Sequence, residues 1–341
     1  MTTENASTEK KEKQSKRSEK KDKTFRTMIG GQAIIEGIMM RGPDRIAMVV
    51  RAPDGIVAQE KEFVPYKDKN PVLGWPFVRG VIGFVDSMRL GMKALMWSAE
   101  YYPEEEQPDE TPAKEPSRFA RWLDKKLESE AAQKAVITLS MVLGVVLAVG
   151  VFMLLPAFLT GLIGRDAVGG VWRNLLEGLV RLAILLGYLF LVSRMKDIQR
   201  VFSYHGAEHK TIACYEAGAE LTTDNVRRYS RLHPRCGTSF LLTVVIISIF
   251  VFSVTVPFED MWLRLASRLV LLPVVVAISY EANRLVGRYD NLFTRILRAP
   301  GLWMQRLTTN EPDDAMIEVG VEALRRVLPK HTGDDEWGKY N

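Results

Sequence analysis

Residues 135–164 form a run of 30 positions without an Asp, Glu, Lys or Arg. A helix needs about 20 apolar residues to cross the hydrocarbon core of a bilayer, so this run predicts a membrane span rather than a core helix. The overall composition, 47% hydrophobic and 26% charged in 341 residues, would by itself suit a soluble protein of about two domains. That average hides a strong segregation, because residues 1–23 hold only one aliphatic side chain larger than alanine, Met1. A wholly soluble chain is therefore excluded. The two cysteines exclude a disulfide-built scaffold, and the apolar content excludes a purely disordered chain.

Three further stretches read as spans. Cys236–Phe258 is 23 residues without a charge. Val171–Ser193 carries Glu177 and Arg181, which lie four apart and can pair on one helix face. Met261–Tyr280 carries Arg264 and Arg268 near its start, where long side chains can snorkel to the interface. Short interfacial or re-entrant helices are the alternative for these last two. The connection 194–235 holds eight Lys/Arg, and Arg284, Arg288, Arg295 and Arg298 follow the fourth stretch. The opposite turns are poorer, with Arg165 and Arg173 in one and no basic residue in 257–260. Basic loops stay inside, so both termini and the central loop are expected in the cytoplasm, a compartment that keeps thiols reduced. The fold class is thus an α-helical multi-pass membrane protein. Four transmembrane helices in two hairpins carry a cytoplasmic α+β module with a β-hairpin region near the amino terminus.

The remaining chain divides by composition. Residues 1–23 are a disordered basic tail, with eight Lys/Arg against four acids in 9–23; a contact with anionic lipid, or with ribosome or translocon, is its sharper reading. Residues 24–70 are β-rich. Gly30–Gly37 suggests a strand, and Ala47–Arg51 and Ile56–Ala58 flank an Asp54-Gly55 hairpin tip. In 71–102, Phe77, Val81, Phe84, Val85, Met88, Met92 and Leu95 recur at steps of three and four, an amphipathic helix. Residues 103–117 are an acidic, proline-rich linker. The first transmembrane hairpin takes 118–193, the cytoplasmic His/Cys loop 194–235, and the second hairpin 236–283. A cytoplasmic helical region fills 284–341, with Asn310 as N-cap of a helix that presents Met316, Val319, Ala323, Leu324 and Val327.

Three of the four histidines fall within 29 residues of the central loop. His205 and His209 bracket Glu208 in the order H-x-x-E-H. On a helix, His205 and His209 sit one turn apart on one face, and Glu208 joins them. Two such imidazoles can grip one Zn2+, and the carboxylate can take a proton from metal-bound water. This inverts the metalloprotease H-E-x-x-H order. Further ligands are expected from His233 and Cys236, in the turn before the third span. Cys214 points away from the ligand face; Glu216 returns to it as a ligand or supporting partner; Glu36 and Glu281 are weaker candidates. Arg227, Arg228, Arg231 and Arg235 reflect membrane topology or bind a phosphorylated substrate or lipid headgroup. Two other readings stay open: a structural clamp closed by His205, His209, His233 and Cys236, and histidines that are merely polar interface residues, with Glu208 paired to a cation.

The blocks GGQAIIEGIMMRGP (30–43), YHGAEHKTIACYEAG (204–218), SRLHPRCGTSF (230–240) and EPDDAMIEVGVEAL (311–324) resemble the YqhQ-like bacterial membrane proteins. That family is one of unknown function whose members are labelled predicted metal-dependent enzymes. The resemblance spans about 28–328. It implies a multi-pass membrane protein with metal-site residues His205, Glu208, His209, His233 and Cys236, and implies no particular reaction. The leading expectation is a Zn2+-dependent hydrolase at the inner face of the bacterial cytoplasmic membrane, with Glu208 as general base and a membrane-associated substrate. The rival is a non-catalytic assembly or scaffold factor for membrane proteins, with a structural metal or none. A transporter or channel is third, supported only by Glu177 and the intramembrane arginines.

Overall fold

The computed structural model describes residues 25–64, 68, 70–101, 130–162, 170–254, 260–289, 291–331 and 333–336. The basic tail and the 103–117 linker lie outside the described residues. Four strands form an antiparallel meander in the order β1-β2-β3-β4: Gly30–Ile34, Gly37–Arg41, Arg45–Ala52 and Gly55–Glu62. The expected single strand over 30–37 is two. Ile34 pairs with Gly37, and the chain reverses through Ile35 and Glu36, the latter at φ 48°. What holds Glu36 there comes from far along the chain: Arg200 donates two hydrogen bonds of 2.5 Å to its carboxylate, and the Tyr204 hydroxyl donates a third at 3.2 Å. The second hairpin forms where expected, but Ala52 pairs with Gly55, so its tip is Pro53-Asp54. Gly55 opens β4 at φ 132°, a backbone that glycine alone adopts freely.

Alternation along the strands sends one set of side chains to each face of the sheet. Ile38, Met40, Ala47 and Val49 face one core, which is completed by Tyr204, Ala207, Ile317, Leu324 and Val327. Met39, Ile46, Met48 and Val50 face the other, against Ala94 and Leu90. The first layer is built by α5 (Lys196–Glu216) and α10 (Asp314–Val327), and the second by α1 (Val78–Ala99). Helix α10 starts later than expected: Asp313 is its N-cap, accepting from Met316 N at 2.8 Å, while Asn310 ties its own amide to Phe202 O at 2.9 Å.

Among the described residues, four helices are long and apolar enough to cross a membrane: Val142–Leu162, Trp172–Val192, Gly237–Val254 and Trp262–Arg288. The first comprises the end of α2 (Glu130–Val149), a π turn at Gly150–Leu154 and α3 (Leu155–Leu162); the others are α4 (Gly170–Val192), α7 (Gly237–Val254) and α8 (Met261–Arg288). Helix α8 continues eight residues past the expected Tyr280 end, since charged residues close an apolar run without closing a helix. Helix α3 packs on α4, and α7 packs on α4, α8 and α9 (Leu292–Thr308). A short helix, α6 (Thr223–Arg227), sits between α5 and α7 in sequence.

Candidate metal centre

Helix α5 ends where Gly218 turns left-handed at φ 69°, letting Gly218 N and Ala219 N cap the carbonyls of Tyr215 and Cys214. Nine of its residues are buried, Glu208 and His209 among them, and the run from Gly206 to Ile212 is enclosed on every side. Gly206 sits inside the motif because a Cβ there would stand 2.0 Å from Asn310 O. The helix is thereby pressed on the α9–α10 connection, and its imidazoles are held at fixed depth.

His205, His209 and Cys236 each offer a donor atom within 4.8 Å of the others. The outer nitrogens of both rings are engaged. His205 Nδ1 lies 2.8 Å from Thr308 O, and His209 Nδ1 lies 2.6 Å from Arg231 O. A carbonyl only accepts, so each Nδ1 carries a proton and each Nε2 is directed at the centre. His205 Nε2 stands 3.1 Å from Cys236 Sγ, and the two rings are 4.4 Å apart. Nε2 of His209 and Oε2 of Glu208 are buried with no hydrogen-bond partner among the described residues. Groups so placed are costly unless something binds them.

Cys236 immediately precedes α7, and Thr238 N donates to its sulfur at 3.4 Å. Burial opposes the thiolate, but the charges of His205 and His209 hold its pKa well below the usual thiol range. Burial likewise presses His205 down, yet the adjoining sulfur outweighs it and lifts the imidazole to about 9. Glu208 is pushed upward chiefly by burial, against the pull of both histidines. Its other oxygen accepts from Gly31 N at 3.1 Å, and a Cβ on Gly31 would meet the Glu208 carboxyl carbon at 3.0 Å. Gly30 and Gly31 are exposed, so the rim beside Glu208 opens to solvent.

His233 does not join this set. Its Nε2 faces Glu216 Oε2 at 3.4 Å, and its backbone N–H donates to Gln305 Oε1 at 2.8 Å. Its ring stands behind His209, 5.6 Å away. Burial above all lowers its pKa. Glu216 is a clamp rather than a ligand: it takes Thr27 N at 3.0 Å and pairs with Arg235 as well as His233. Burial raises its carboxyl, but the His233 hydrogen bond and the Arg235 charge outweigh that and hold it below the usual range. Cys214 lies in the hydrophobic core, as its helix position requires. Glu36 is spent on the β1–β2 turn, and Glu281 on Arg79 at 2.6 Å. Three of the loop arginines also serve the fold, Arg227 pairing with Asp314, Arg231 with Thr309 O and Glu311, and Arg235 with Glu216.

The residues that sequence reasoning missed are those supporting the ligands: Gly31, Gln305, Thr308 and the Arg231 carbonyl. Gly30-Gly31 was a detectable signal, two adjacent glycines inside a β-rich stretch. Nothing marks Thr308 or Gln305.

A sheet-capped His/His/Cys centre with an adjacent buried carboxylate, set beside four helices of bilayer length, defines the class of protein. Residues 75–330 match the family model described as "Protein of unknown function (DUF1385)", and the chain belongs to that family. It is 36% identical over 301 residues to the "Uncharacterized protein YqhQ" of Bacillus subtilis (strain 168), covering 88% of this chain and 92% of the relative. No solved structure matches.

Proposed function

We propose that this protein is a Zn2+-dependent hydrolase in the bacterial cytoplasmic membrane, with both termini and the metal centre on the cytoplasmic side. One observation carries the reading: two Nε2 atoms with fixed tautomers and one thiolate-prone sulfur converge beside a carboxylate oxygen that has no partner. A nitrogen and sulfur donor set favours Zn2+. Three protein ligands leave a fourth position open for water, as catalytic zinc sites do. A bound Zn2+ supplies Lewis acidity and lowers the pKa of its water to about 7. Glu208, raised by burial and steadied by Gly31 N, accepts the proton of the attacking water and passes it to the leaving group. The substrate is a membrane-associated molecule with a scissile carbonyl or phosphoryl group. The turn of His233 towards Glu216 weighs against the four-ligand structural clamp. The density of basic residues in 194–235 supports the orientation.

Elemental analysis of the purified full-length chain tests the centre. The expected result is stoichiometric Zn2+, lost in His205→Ala and retained in Glu208→Gln. A chain without stoichiometric transition metal overturns the proposal. In cells, Glu208→Gln should abolish the protein's role while leaving its abundance unchanged; a membrane-protein assembly factor would tolerate the change.

A further inference from the structure

Helix α9 is amphipathic in the reverse sense to a helix of a soluble protein. The face it turns to the molecule is mostly small or polar: Thr294, Gly301, Gln305 and Thr308 are buried, with Met304 as its one large apolar side chain. Its outward face is apolar, with Phe293 69%, Ile296 62% and Trp303 53% exposed, and Leu292 beside them. In water, such a stripe leaves large side chains uncovered while the polar ones are packed away. Exposed Arg295 and Arg306 flank the stripe, the arrangement of a helix lying in the plane of an interface, where basic residues meet anionic headgroups. The stripe is also continuous with the span surface: α9 begins just after α8 ends at Arg288, and it packs on both α7 and α8. The start of α1 repeats the pattern, with Val78, Val85 and Met88 outward and Gly80 seated against Ala277 and Tyr280 of α8.

We propose that α9 is an in-plane helix whose outer face lies in the headgroup–acyl boundary of the bilayer while its inner face holds the metal centre. The inner contacts are Thr308 O on His205 Nδ1 and Gln305 on both the N–H and the carbonyl of His233. The metal centre is thus one helix thickness from lipid. The proposal rests on the four apolar helices being inserted and is independent of any hydrolytic role.

Nitroxide labels on Phe293→Cys and Ile296→Cys, in the full-length chain reconstituted into liposomes of zwitterionic and anionic phospholipid, test it by power saturation. The native cysteines are buried, and the labelled unsubstituted chain supplies the background. Phe250→Cys on the exposed surface of α7 marks the bilayer interior, and Ile56→Cys on the sheet marks water. The α9 labels are expected to favour molecular oxygen over a water-soluble nickel chelate several-fold relative to Ile56, at a shallower depth than Phe250. Labels that behave like Ile56 overturn the proposal, as do labels shielded from both reagents, which would mean that another protein surface covers the stripe. A water-exposed Phe250 label would instead show that the spans are not inserted, and would overturn the membrane reading with it.

Discussion

Among the described residues, two of the buried clusters of ionisable side chains are built on opposite plans. Between the apolar helices, Arg181 of α4 donates to Glu177 Oε1 at 3.0 Å, to Ser248 Oγ at 2.8 Å and to Phe152 O at 3.0 Å. The carbonyl of Phe152 belongs to the π turn, where the widened backbone frees an acceptor. Arg268 of α8 reaches the same Glu177 oxygen at 3.4 Å and Asn174 Oδ1 at 2.9 Å, and its guanidinium lies 4.3 Å from the Phe252 ring. Arg264 is buried too, donating to Ala157 O at 2.9 Å, so the expectation that it and Arg268 snorkel outward is corrected. Here two cations share one oxygen of Glu177, whose Oε2 has no hydrogen-bond partner among the described residues, and the result ties α3, α4, α7 and α8 together. Beneath the sheet the logic reverses: backbone carbonyls occupy only the outer nitrogens of His205 and His209, and the inner nitrogens converge with Cys236 Sγ. Neither burial of charge nor a single unpartnered oxygen therefore marks a reactive site; the mark is several donor atoms converging within 4.8 Å of one another.

That contrast can be broken in several places. The largest effect belongs to Cys236→Ser, which should take bound Zn2+ from about one per chain to background, since a three-ligand site survives poorly on two; Glu177→Gln should leave metal content intact by the same elemental analysis. Glu177→Ala should do the converse, keeping the metal but costing about 3–5 kcal/mol, because Arg181 and Arg268 are left buried without their carboxylate; the melting temperature in detergent reads it. Gly206→Ala should destabilise by about 1–3 kcal/mol, since its Cβ must displace the α9–α10 connection, and metal content should fall with it. A smaller change comes from His233→Ala, expected to weaken Zn2+ about 10–100-fold as a supporting residue, without abolishing binding; loss as complete as in Cys236→Ser would restore His233 to the ligand set.

The mildest test uses pH. His205 is raised to about 9, so its contribution to metal-free stability is complete below the ordinary histidine range and is lost as pH climbs through about 9. Cys236 is lowered, so its contribution is complete above the ordinary thiol range and is lost as pH falls through its depressed value. The pair is intact between those limits. Zn2+ must displace the His205 proton, so its apparent affinity should rise about tenfold per pH unit up to about 9, as measured by competition with a chromophoric chelator.

Much of this architecture is legible before any coordinates. The segregated apolar runs announce the four membrane-length helices, and Asp54-Gly55 announces a hairpin to within one residue. The spacing of His205, Glu208 and His209 announces a shared helix face, because 3.6-residue periodicity is a local property. The β1–β2 turn is not legible, since Glu36 is held by Arg200 and Tyr204 from another element. Neither is the choice between His233 and Cys236. Both lie in one short turn, and which of them faces the histidines depends on Gln305 and Glu216 gripping the other.

Local periodicity and hydropathy thus dictate which segments are helices, which strands alternate, and which residue types are available for a metal. Selecting among those residues falls to packing: the α9 carbonyl that sets a tautomer, the glycine that admits α10's connector, the clamp that withdraws one imidazole. Such contacts join positions far apart in the chain: Gly31 and Glu208 are separated by 177 residues, and Thr27 and Glu216 by 189. No short-range pattern encodes them, because their energy exists only once the chain has folded around them.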